Sequence, residues 1–560
     1  MLARLAFRVK ALLDALGLVI MLFSLVFLLP VFVAFYYSEA VHSVMRSYVV
    51  PMILTANIGL LLWVLGIEEA EMIRDRKLIF TILLGWIVLM LIPSSVILPL
   101  KIEYSPALIF AVIAIICIVV FIILKYFRRA RLKELREREA FVCVALGWLI
   151  ISAFAAMPYT FSNSLGYVDS YFEAMSGFAT CGSTVLEVPK GLDYLNVYPH
   201  SLMFWRALTQ WLGGMGIIVF SIVVLARAMG PGGARLFKAE VSGKEVTRLK
   251  PRIKETASAL WKVYLLFTII GIILLFLATN DVYDSVCHSF TSLSTGGFST
   301  RYQNIAAYDN VFVEIIIIGL MIVGGTNFIL HYRLLSGKPK ALFTDPGFKF
   351  YISSIIIAIV LITINLILSA SSRSPLGAFR IGVFQAVSIN TTTGFSSANF
   401  AHWPFASQLI LLVLMFIGGC AGSTAGGIKT IRTLVLLKVV KRELRRIIHP
   451  KAVEPITLAK HPIEEGLVHN IIAFFFLYIL IFIVSAIGVA LIENLDIVSS
   501  ASAVATTMGT VGPGLGKVGP ATTFASLLPI TKLWLTACMW LGRLEIFACL
   551  VLFMPRTYRG

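Results

Sequence analysis

Long apolar stretches alternate with short polar ones along the chain, and twelve of the apolar stretches are long enough to cross a lipid bilayer. A transmembrane helix needs roughly 17 to 25 predominantly apolar residues. The predicted spans are residues 16–36, 49–67, 78–100, 108–124, 141–161, 204–229, 260–278, 311–330, 350–368, 409–440, 467–492 and 533–554. The first stretch is too long for a signal peptide, and no small-residue cleavage site follows it. The pattern predicts an all-α integral membrane protein with about twelve spans.

Four of the polar interruptions are rich in glycine, threonine and serine, and each lies between two apolar stretches. They read AMSGFATCGS around Gly182, SLSTGGFST around Gly296, SINTTTGFSS around Gly394 and TTMGTVGPG around Gly512. Irregular backbone at membrane depth is tolerated only where it lines a water-filled cavity or is buried in protein. We therefore predict four repeats around a central pore, each built from a helix, a short pore helix, a glycine segment and a second helix.

These segments suit the removal of water from a cation. Rings of backbone carbonyls replace an ion's hydration shell, and glycine permits the alternating dihedral angles that aim several carbonyls at one axis. The carboxyl ends of the short helices place their negative dipole ends near the same axis. The candidate ion filter comprises Thr180, Cys181, Gly182, Ser183, Ser294, Thr295, Gly296, Gly297, Thr392, Thr393, Gly394, Phe395, Thr510, Val511, Gly512 and Pro513.

The tenth stretch contains a second irregularity, MFIGGCAGSTAGGIKTIR, with five glycines between Gly418 and Gly427. Each glycine costs roughly 1 kcal/mol in a helix interior. We predict an unwound intramembrane loop that acts as a mobile gate, although a small-residue face for close helix packing is the alternative. The candidate gate residues are Gly418, Gly419, Gly422, Ser423, Thr424, Gly426, Gly427 and, at the cytoplasmic end, Lys429.

Arg543 lies near the middle of the last predicted span, two residues before Glu545. An ionisable side chain at membrane depth costs about 3 kcal/mol or more on insertion scales and is by default a functional hypothesis. A guanidinium facing the pore beneath the filter would be an electrostatic barrier to cations. The alternative is a structural pair with a neighbouring carboxylate or carbonyl.

The net charge of +18 fits the same topology. The Lys/Arg clusters are at 4–10, 74–77, 125–138, 235–254, 333–340, 438–451 and 556–559. All of them fall on one side if each span crosses once, so the positive-inside rule places both termini in the cytoplasm. The basic balance therefore reflects topology rather than nucleic-acid binding. No catalytic triad or phosphate loop is found, which argues against an enzyme.

The most specific motifs are FEAMSGFATCGSTV, PRIKETASALW, STGGFST, TTTGFSSANF, IGGCAGSTAGGIKTIR, VGPGLGKVGP and GRLEIF. With these motifs the chain resembles the Trk/Ktr/HKT superfamily of potassium transporters, and most closely its bacterial Trk-type potassium-uptake transmembrane subunit. The resemblance covers roughly residues 1–67 and 135–560.

The resemblance implies potassium as the substrate, because glycine at the position of Gly182 goes with potassium preference and serine with sodium transport. It also implies that Gly182, Gly296, Gly394 and Gly512 form the filter, that residues 418–427 form the gate loop, and that Arg543 faces the pore. The expected assembly is a homodimer in the bacterial cytoplasmic membrane, in contact with lipid. A cytosolic ring of regulatory subunits would bind NAD or ATP, and this chain would hold no cofactor of its own.

The chain departs from the family pattern in three places. The first filter reads ATCGS where TTTGA is usual, so Cys181 replaces a threonine, and Thr510 stands where asparagine is usual. Two spans between residues 68 and 135 are additional to the usual ten. The predicted domains are 1–135 (four N-terminal spans), 136–235, 236–340, 341–450 with the gate loop, and 451–560 (the four pore repeats).

A secondary transporter with alternating access, coupled to protons or sodium, is the competing hypothesis. Such folds usually show inverted repeats and discontinuous helices in corresponding places of two halves. Here the charge rule gives all four repeats the same orientation, which favours channel-like conduction.

Overall fold

The computed structural model describes residues 9–66, 137–220, 253–370, 374–451, 454–459 and 461–558. The predicted spans 78–100 and 108–124, the end of the span 204–229 and most of the basic clusters 125–138 and 235–254 lie outside these residues.

The regular structure of the described residues is almost entirely helical. The longer helices are α1 (Val9–Ser24), α2 (Leu28–Tyr36), α3 (Val50–Gly66), α4 (Glu137–Ala155), α5 (Tyr167–Phe178), α6 (His200–Phe220), α7 (Ile253–Thr279), α8 (Val282–Leu293), α9 (Val311–Gly325), α10 (Pro346–Leu368), α11 (Pro375–Asn390), α12 (Phe405–Ile417), α13 (Thr430–Ile448), α14 (Glu465–Glu493), α15 (Ile497–Gly509) and α16 (Pro529–Arg543). Short helices lie at Val41–Val44, Met157–Phe161, Tyr194–Val197, Phe328–Leu335, Lys340–Thr344, Phe547–Leu550 and Pro555–Tyr558. Strand β1 (Thr457–Leu458) pairs antiparallel with β2 (His461–Pro462), with Thr457 opposite Pro462.

Six described helical stretches are long and apolar enough to cross a membrane, so the chain is a multi-pass membrane protein. They are Val9–Tyr36, Val41–Gly66, Glu139–Phe161, Thr256–Thr279, Pro346–Leu368 and Glu465–Glu493. Two further pairs of helices pass the same test together, although the chain is broken within each pair. The total of twelve spans remains a prediction.

Besides the stretch 409–440, whose interruption was predicted, two predicted spans are broken within the described residues. The span 311–330 breaks after Gly325 and continues, at an angle of 104°, as Phe328–Leu335, because Asn327 caps the second helix by accepting a hydrogen bond from the Ile329 amide. The span 533–554 breaks after Arg543, where Glu545 and Ile546 have positive φ angles of 59° and 39°. Arg543 is therefore the last residue of a helix, at the break between Pro529–Arg543 and Phe547–Phe553.

The chain divides into two compact units. The first comprises Met1–Ala174, Leu195–Trp205 and Phe547–Gly560. In it, α1 and α3 approach closely through glycine: a Cβ added at Gly17 would lie 2.3 Å from the Trp63 amide nitrogen. Small residues permit such backbone contact between membrane helices. Trp205 stacks on Phe27, with ring centroids 4.8 Å apart.

The second unit comprises Met175–Tyr194 and Arg206–Ile546, and it holds all four glycine segments. The predicted order of helix, short helix, glycine segment and helix is confirmed by α4–α5–α6, α7–α8–α9, α10–α11–α12 and α14–α15–α16. The short helices α5, α8, α11 and α15 have 12, 12, 16 and 13 residues. At 1.5 Å per residue they span about 18 to 24 Å, less than the roughly 30 Å hydrocarbon core.

Side-chain caps begin three of these short helices. Asp281, Ser374 and Asp496 each accept a hydrogen bond from the amide three residues later. Such caps satisfy amide groups that have no partner within the helix. The sequence thus fixes where these helices begin, and the glycine segments fix where the chain turns back.

Candidate functional site

The same backbone turn ends each of the four short helices. Four threonines adopt left-handed φ angles of 48° to 57°, namely Thr180, Thr295, Thr392 and Thr510. The amide of the following residue bonds the carbonyl five residues back in every case, at 2.8, 2.8, 2.9 and 2.8 Å. This is the hydrogen bond of a Schellman cap, which glycine usually makes. A β-branched residue in the left-handed backbone conformation is strained, and residues strained in this way are frequent at functional sites.

The turns also define which residues correspond. Two residues after each left-handed threonine comes a glycine with positive φ: Gly182 (87°), Gly297 (75°), Gly394 (80°) and Gly512 (110°). The sequence-based assignment paired Gly296 with the other three, which is wrong by one residue. In the second glycine segment, the residues that correspond to the other three segments are therefore Thr295–Phe298, and Ser294 is not among them. From the sequence, Gly296 was aligned with Gly182, Gly394 and Gly512. The positive φ angle shows that Gly297 is the corresponding residue.

We call residues 180–183, 295–298, 392–395 and 510–513 segments 1 to 4. Each of the four glycines with positive φ lies against a carbonyl of a neighbouring segment, and the four contacts close into a cycle. A Cβ added at Gly182 would lie 2.3 Å from the Gly296 oxygen, and one added at Gly297 would lie 1.8 Å from the Thr393 oxygen. One at Gly394 would lie 1.8 Å from the Val511 oxygen, and one at Gly512 2.9 Å from the Cys181 oxygen. Segment 1 thus abuts segment 2, segment 2 abuts 3, segment 3 abuts 4, and segment 4 abuts 1.

The four segments therefore form a ring whose residues are almost all buried. A cavity of about 60 Å³ is lined by the four ring glycines and by polar groups that include Ser183, Arg206 and Arg301. Ser183 also donates a hydrogen bond of 2.9 Å to the Gly512 carbonyl, which links segments 1 and 4. The Cys181 thiol lies 3.3 Å from the Ser183 hydroxyl, so it packs within the protein at the ring.

The predicted unwound loop is present: α12 ends at Ile417 and α13 begins at Thr430. We call residues 418–429 the glycine-rich loop. Its backbone bonds the end of α9, since the Cys420 amide donates to the Gly325 carbonyl at 2.9 Å and the Thr424 amide to the Gly324 carbonyl at 3.1 Å. The alternative of a continuous helix with a small-residue face is therefore wrong.

The glycine-rich loop lies against the threonines of three segments. The Gly426 amide donates to the Thr392 hydroxyl at 2.7 Å, and the Thr295 hydroxyl donates to that of Thr424 at 3.2 Å. A Cβ added at Gly426 would lie 2.0 Å from the Thr510 hydroxyl. Loop and ring are thus in direct contact.

Arg543 is 2% exposed and donates to two carbonyls: Nη1 to Thr424 at 2.7 Å and Nη2 to Gly213 at 3.2 Å. It joins the glycine-rich loop to α6. Glu545 instead pairs with Arg432 at the start of α13. The alternative to an electrostatic barrier was a structural pair of Arg543 with a carboxylate or a carbonyl. The hydrogen-bond partners of Arg543 are two carbonyls.

Lys429 does not extend away from the loop, because its ammonium donates to the Ala425 carbonyl within the loop. Ser423 similarly donates to the Cys420 carbonyl at 2.5 Å. These internal bonds fold the loop on itself. Gly418, Gly422 and Gly427 have φ angles of 69°, 73° and 74°, which explains part of the glycine content.

Comparison with known proteins identifies the family. A family profile described as "TrkH: Cation transport protein" matches residues 107–557, most of the chain. The chain belongs to the TrkH family. The Escherichia coli K12 protein named "Trk system potassium uptake protein TrkH" is 40% identical to this TrkH-family chain over 430 residues, covering 76% of the chain and 87% of the relative. The E. coli K12 protein named "Trk system potassium uptake protein TrkG" is 32% identical over 431 residues, with coverages of 76% and 87%.

The structure agrees with this membership. The crystal structure titled as that of the potassium transporter TrkH from Vibrio parahaemolyticus superposes with a TM-score of 0.79 and 30% identity. The match covers 99% of this TrkH-family chain and 100% of that one. The chain is thus a membrane protein of the Trk potassium-uptake family.

Some contacts in this TrkH-family chain were missed from sequence. Gln210 on α6 hydrogen-bonds segment 2, and Arg206 on the same helix donates to the Ser299 carbonyl just after that segment. Gly213 leaves room for the end of α5, since a Cβ there would lie 2.2 Å from the Phe178 oxygen. The signal was present, because Arg206 and Gln210 are polar residues inside the predicted span 204–229 and such residues are functional candidates.

Asp345 caps the span Pro346–Leu368 of this TrkH-family chain, near the start of α13. A Cβ added at Gly347 would lie 3.2 Å from the Asp345 carboxylate and 3.9 Å from the Thr430 hydroxyl. Asp345 is 4% exposed, and burial raises its pKa to about 6. Its Oδ1 caps α10 by accepting from the Phe348 amide at 2.8 Å.

We expect Asp345→Asn to stabilise the protein at neutral pH. A carboxyl whose folded pKa is raised binds its proton more tightly when folded, so stability falls as pH rises from about 4 to 6. Asparagine caps a helix equally well and carries no charge, so the gain at pH 7.5 should be about 3 kcal/mol and should vanish near pH 4. Thermal unfolding in detergent at pH 4.5 and 7.5 measures this. The matched control is Asp496→Asn at the exposed cap of α15, which should not stabilise at either pH.

Proposed function

We propose that the chain takes up potassium by channel-like conduction through the ring of four segments, which acts as the selectivity filter. The observation that carries the proposal is the closed cycle of glycine contacts with neighbouring carbonyls. Such a ring brings backbone oxygens of four segments together, and carbonyl rings replace the hydration shell of a cation. The filter residues would be those of segments 1 to 4, with potassium as substrate and no resident cofactor.

The short helices add to the attraction for cations. Helices α5, α8, α11 and α15 all end directly at the ring, and a helix carries a partial negative charge at its carboxyl end. Four such ends around one site favour a cation without a carboxylate. This arrangement supports conduction of a weakly hydrated monovalent ion rather than tight binding.

The glycine-rich loop is proposed to be the gate. Its contacts with Thr295, Thr392 and Thr510 support this role, because a loop held against the cytoplasmic side of the ring would block the path. Arg543 would both hold the loop through the Thr424 carbonyl and oppose cations by its charge. Opening requires these hydrogen bonds to exchange for others.

The membrane potential would supply the driving force. A potential of 100 mV contributes about 2.3 kcal/mol per charge, which supports roughly fiftyfold accumulation. No nucleotide hydrolysis by this chain is required.

The regulatory assembly belongs to the proposal as well. Relatives carry names of Trk system components. We propose a homodimer in the bacterial cytoplasmic membrane, with both termini cytoplasmic, that docks a cytosolic ring binding NAD or ATP. Helix α13 follows directly after the glycine-rich loop and carries Arg445 and Arg446 in its last turn. It is therefore suited to connect the cytosolic regulatory subunits to the gate.

The test uses the purified full chain in liposomes loaded with potassium or sodium. A proton ionophore lets protons enter as cations leave, and a pH-sensitive dye inside the liposomes reports that entry. Potassium efflux without any other gradient, and faster than sodium efflux, is expected. Efflux that begins only after a nucleotide-binding partner is added would indicate a gate closed by default. Flux that requires a proton or sodium gradient would overturn channel-like conduction in favour of coupled transport.

A further inference from the structure

One face of α6 follows segment 2 along its length. Arg206, Gln210 and Gly214 are four residues apart and therefore share a face of the helix. Arg206 and Gln210 are 3% and 0% exposed. The polar groups of this face are thus buried against the ring.

Gln210 holds segment 2 at two points. Its Nε2 donates a 2.6 Å hydrogen bond to the Gly296 carbonyl, and its Oε1 accepts a 3.0 Å bond from the Phe298 amide. Both ends of the side-chain amide are engaged with backbone two residues apart. Gly297, the ring glycine, lies between them.

Gly296 makes room for this side chain. A Cβ added at Gly296 would lie 2.3 Å from Cδ of Gln210. The corresponding positions of segments 1, 3 and 4 carry the side chains of Cys181, Thr393 and Val511. In segment 2, the amide of Gln210 fills the space that a side chain occupies elsewhere.

The contact continues above and below Gln210. Arg206 donates a 2.9 Å bond from Nη1 to the Ser299 carbonyl, and its guanidinium carbon lies 3.7 Å from the ring centroid of Phe298. Gly214 lies against Ser294, since a Cβ there would be 2.8 Å from the Ser294 Cβ. Arg206, Gln210 and Gly214 of α6 therefore contact the chain from Ser294 to Ser299.

Segments 3 and 4 are held differently. Gln385 and Ser388 of α11 donate to the Phe395 carbonyl at 3.1 and 2.6 Å, and Thr506 of α15 donates to the Pro513 carbonyl at 3.2 Å. Those side chains come from the repeat's own short helix. Segment 2 is braced by a helix of the preceding repeat.

We propose that Gln210 is a positioning residue that sets ion specificity by fixing the Gly296 carbonyl and the Phe298 amide; this rests on the proposed role of the ring as a filter. The Gly296 oxygen lies beside Gly182 in the cycle, so its orientation defines one contact between segments. Without the amide, this part of segment 2 is free to rotate. The ring then adapts to the smaller sodium ion.

The experiment measures bi-ionic potassium/sodium reversal potentials of the purified chain in planar bilayers. The variants are Gln210→Met, of similar size without hydrogen bonds, and Gln210→Glu, whose carboxylate cannot donate to the Gly296 carbonyl. We expect the permeability ratio to fall about fivefold in Gln210→Glu, as for loss of a single hydrogen bond, and at least as far in Gln210→Met, which loses both bonds. The reversal potential is independent of the number of active molecules, so reduced folding alone would not move it.

The matched control is Thr268→Val, which removes another buried hydrogen bond of α6, that between Trp211 and Thr268 at 3.1 Å, without touching the ring. Its ratio should equal that of the wild type. If the gate is closed in bilayers, the difference between thermal unfolding midpoints in potassium and sodium chloride serves instead, because an ion that binds the folded state stabilises it. That difference should shrink in the Gln210 variants.

Gly296→Ala provides the reciprocal test, since its methyl group would displace the Gln210 amide, and it should lower the ratio as well. Unchanged ion preference in the Gln210 variants and in Gly296→Ala, beside a wild type that prefers potassium, would overturn the inference alone. A wild type without potassium preference in either measurement would instead overturn the filter role of the ring.

Discussion

Replacing Gly182 with serine is expected to lower the potassium-to-sodium permeability ratio by roughly tenfold or more, because relieving the collision of the new Cβ strains the backbone of the ring at a cost of about 1 to 3 kcal/mol. Gly182 has a φ of 87°, and a Cβ there would lie 2.3 Å from the Gly296 oxygen. The colliding atom is main chain, and Gln210 holds it from the other side. The collision therefore cannot be relieved by turning a side chain. Bi-ionic reversal potentials in planar bilayers give the ratio.

Gly191→Ser separates the collision from backbone strain. Gly191 has a φ of 90°, yet a Cβ there would meet nothing within 4 Å among the described residues. Its variant carries the same dihedral strain without contact with the ring, and its ratio should match the wild type. Equal selectivity in Gly182→Ser and Gly191→Ser would contradict the assignment of Gly182 to the filter.

Arg543→Ala is expected to raise potassium flux about tenfold, because charge-assisted hydrogen bonds contribute roughly 1.5 to 3 kcal/mol and both bonds of Arg543 are lost. The guanidinium bonds the loop through Thr424 and α6 through Gly213. The substitution removes the hydrogen bonds that hold the loop and a buried positive charge beside the proposed ion path. Efflux from potassium-loaded liposomes, normalised to the amount of reconstituted protein, measures the change.

Arg543→Lys distinguishes the two contributions, because lysine keeps the charge but lacks the fork that reaches both carbonyls. An intermediate flux is expected if the loop contact and the charge both matter. Lys340→Ala, at an exposed position on the short helix Lys340–Thr344, is the control for removal of a positive charge and should leave flux unchanged. Well-folded Arg543→Ala protein with wild-type flux would argue that the arginine is only structural.

The order of helices and glycine segments, and the interruption of the stretch 409–440, could be predicted because polar and glycine residues are unusual inside a membrane span. Glycine, threonine and serine at membrane depth are anomalous in an apolar span, so the four segments and residues 418–427 were visible at once. The short length of α5 followed from its flanking polar residues. These signals are local in sequence, and local signals suffice to place helices and loops.

The register of segment 2 was not predictable in the same way. Gly296 and Gly297 are adjacent and identical in type, and only the left-handed φ of Gly297 and the amide of Gln210 distinguish them. The break after Gly325 was missed because the stretch remains apolar, while its cause is the cap formed by Asn327. Contacts between distant parts of the chain decide these features, and no periodicity in one stretch records them.

Because one chain supplies all four segments, the ring is not bound by the symmetry of a tetramer of identical subunits. Each of the four positions beside the ring glycines carries a different residue, Cys181, Gly296, Thr393 or Val511. A substitution in a symmetric tetramer alters all four positions together, whereas here it alters one. For the proposed filter, this means that single substitutions would change ion preference by one contact at a time, through intermediate selectivities that a filter of four identical subunits would not pass through.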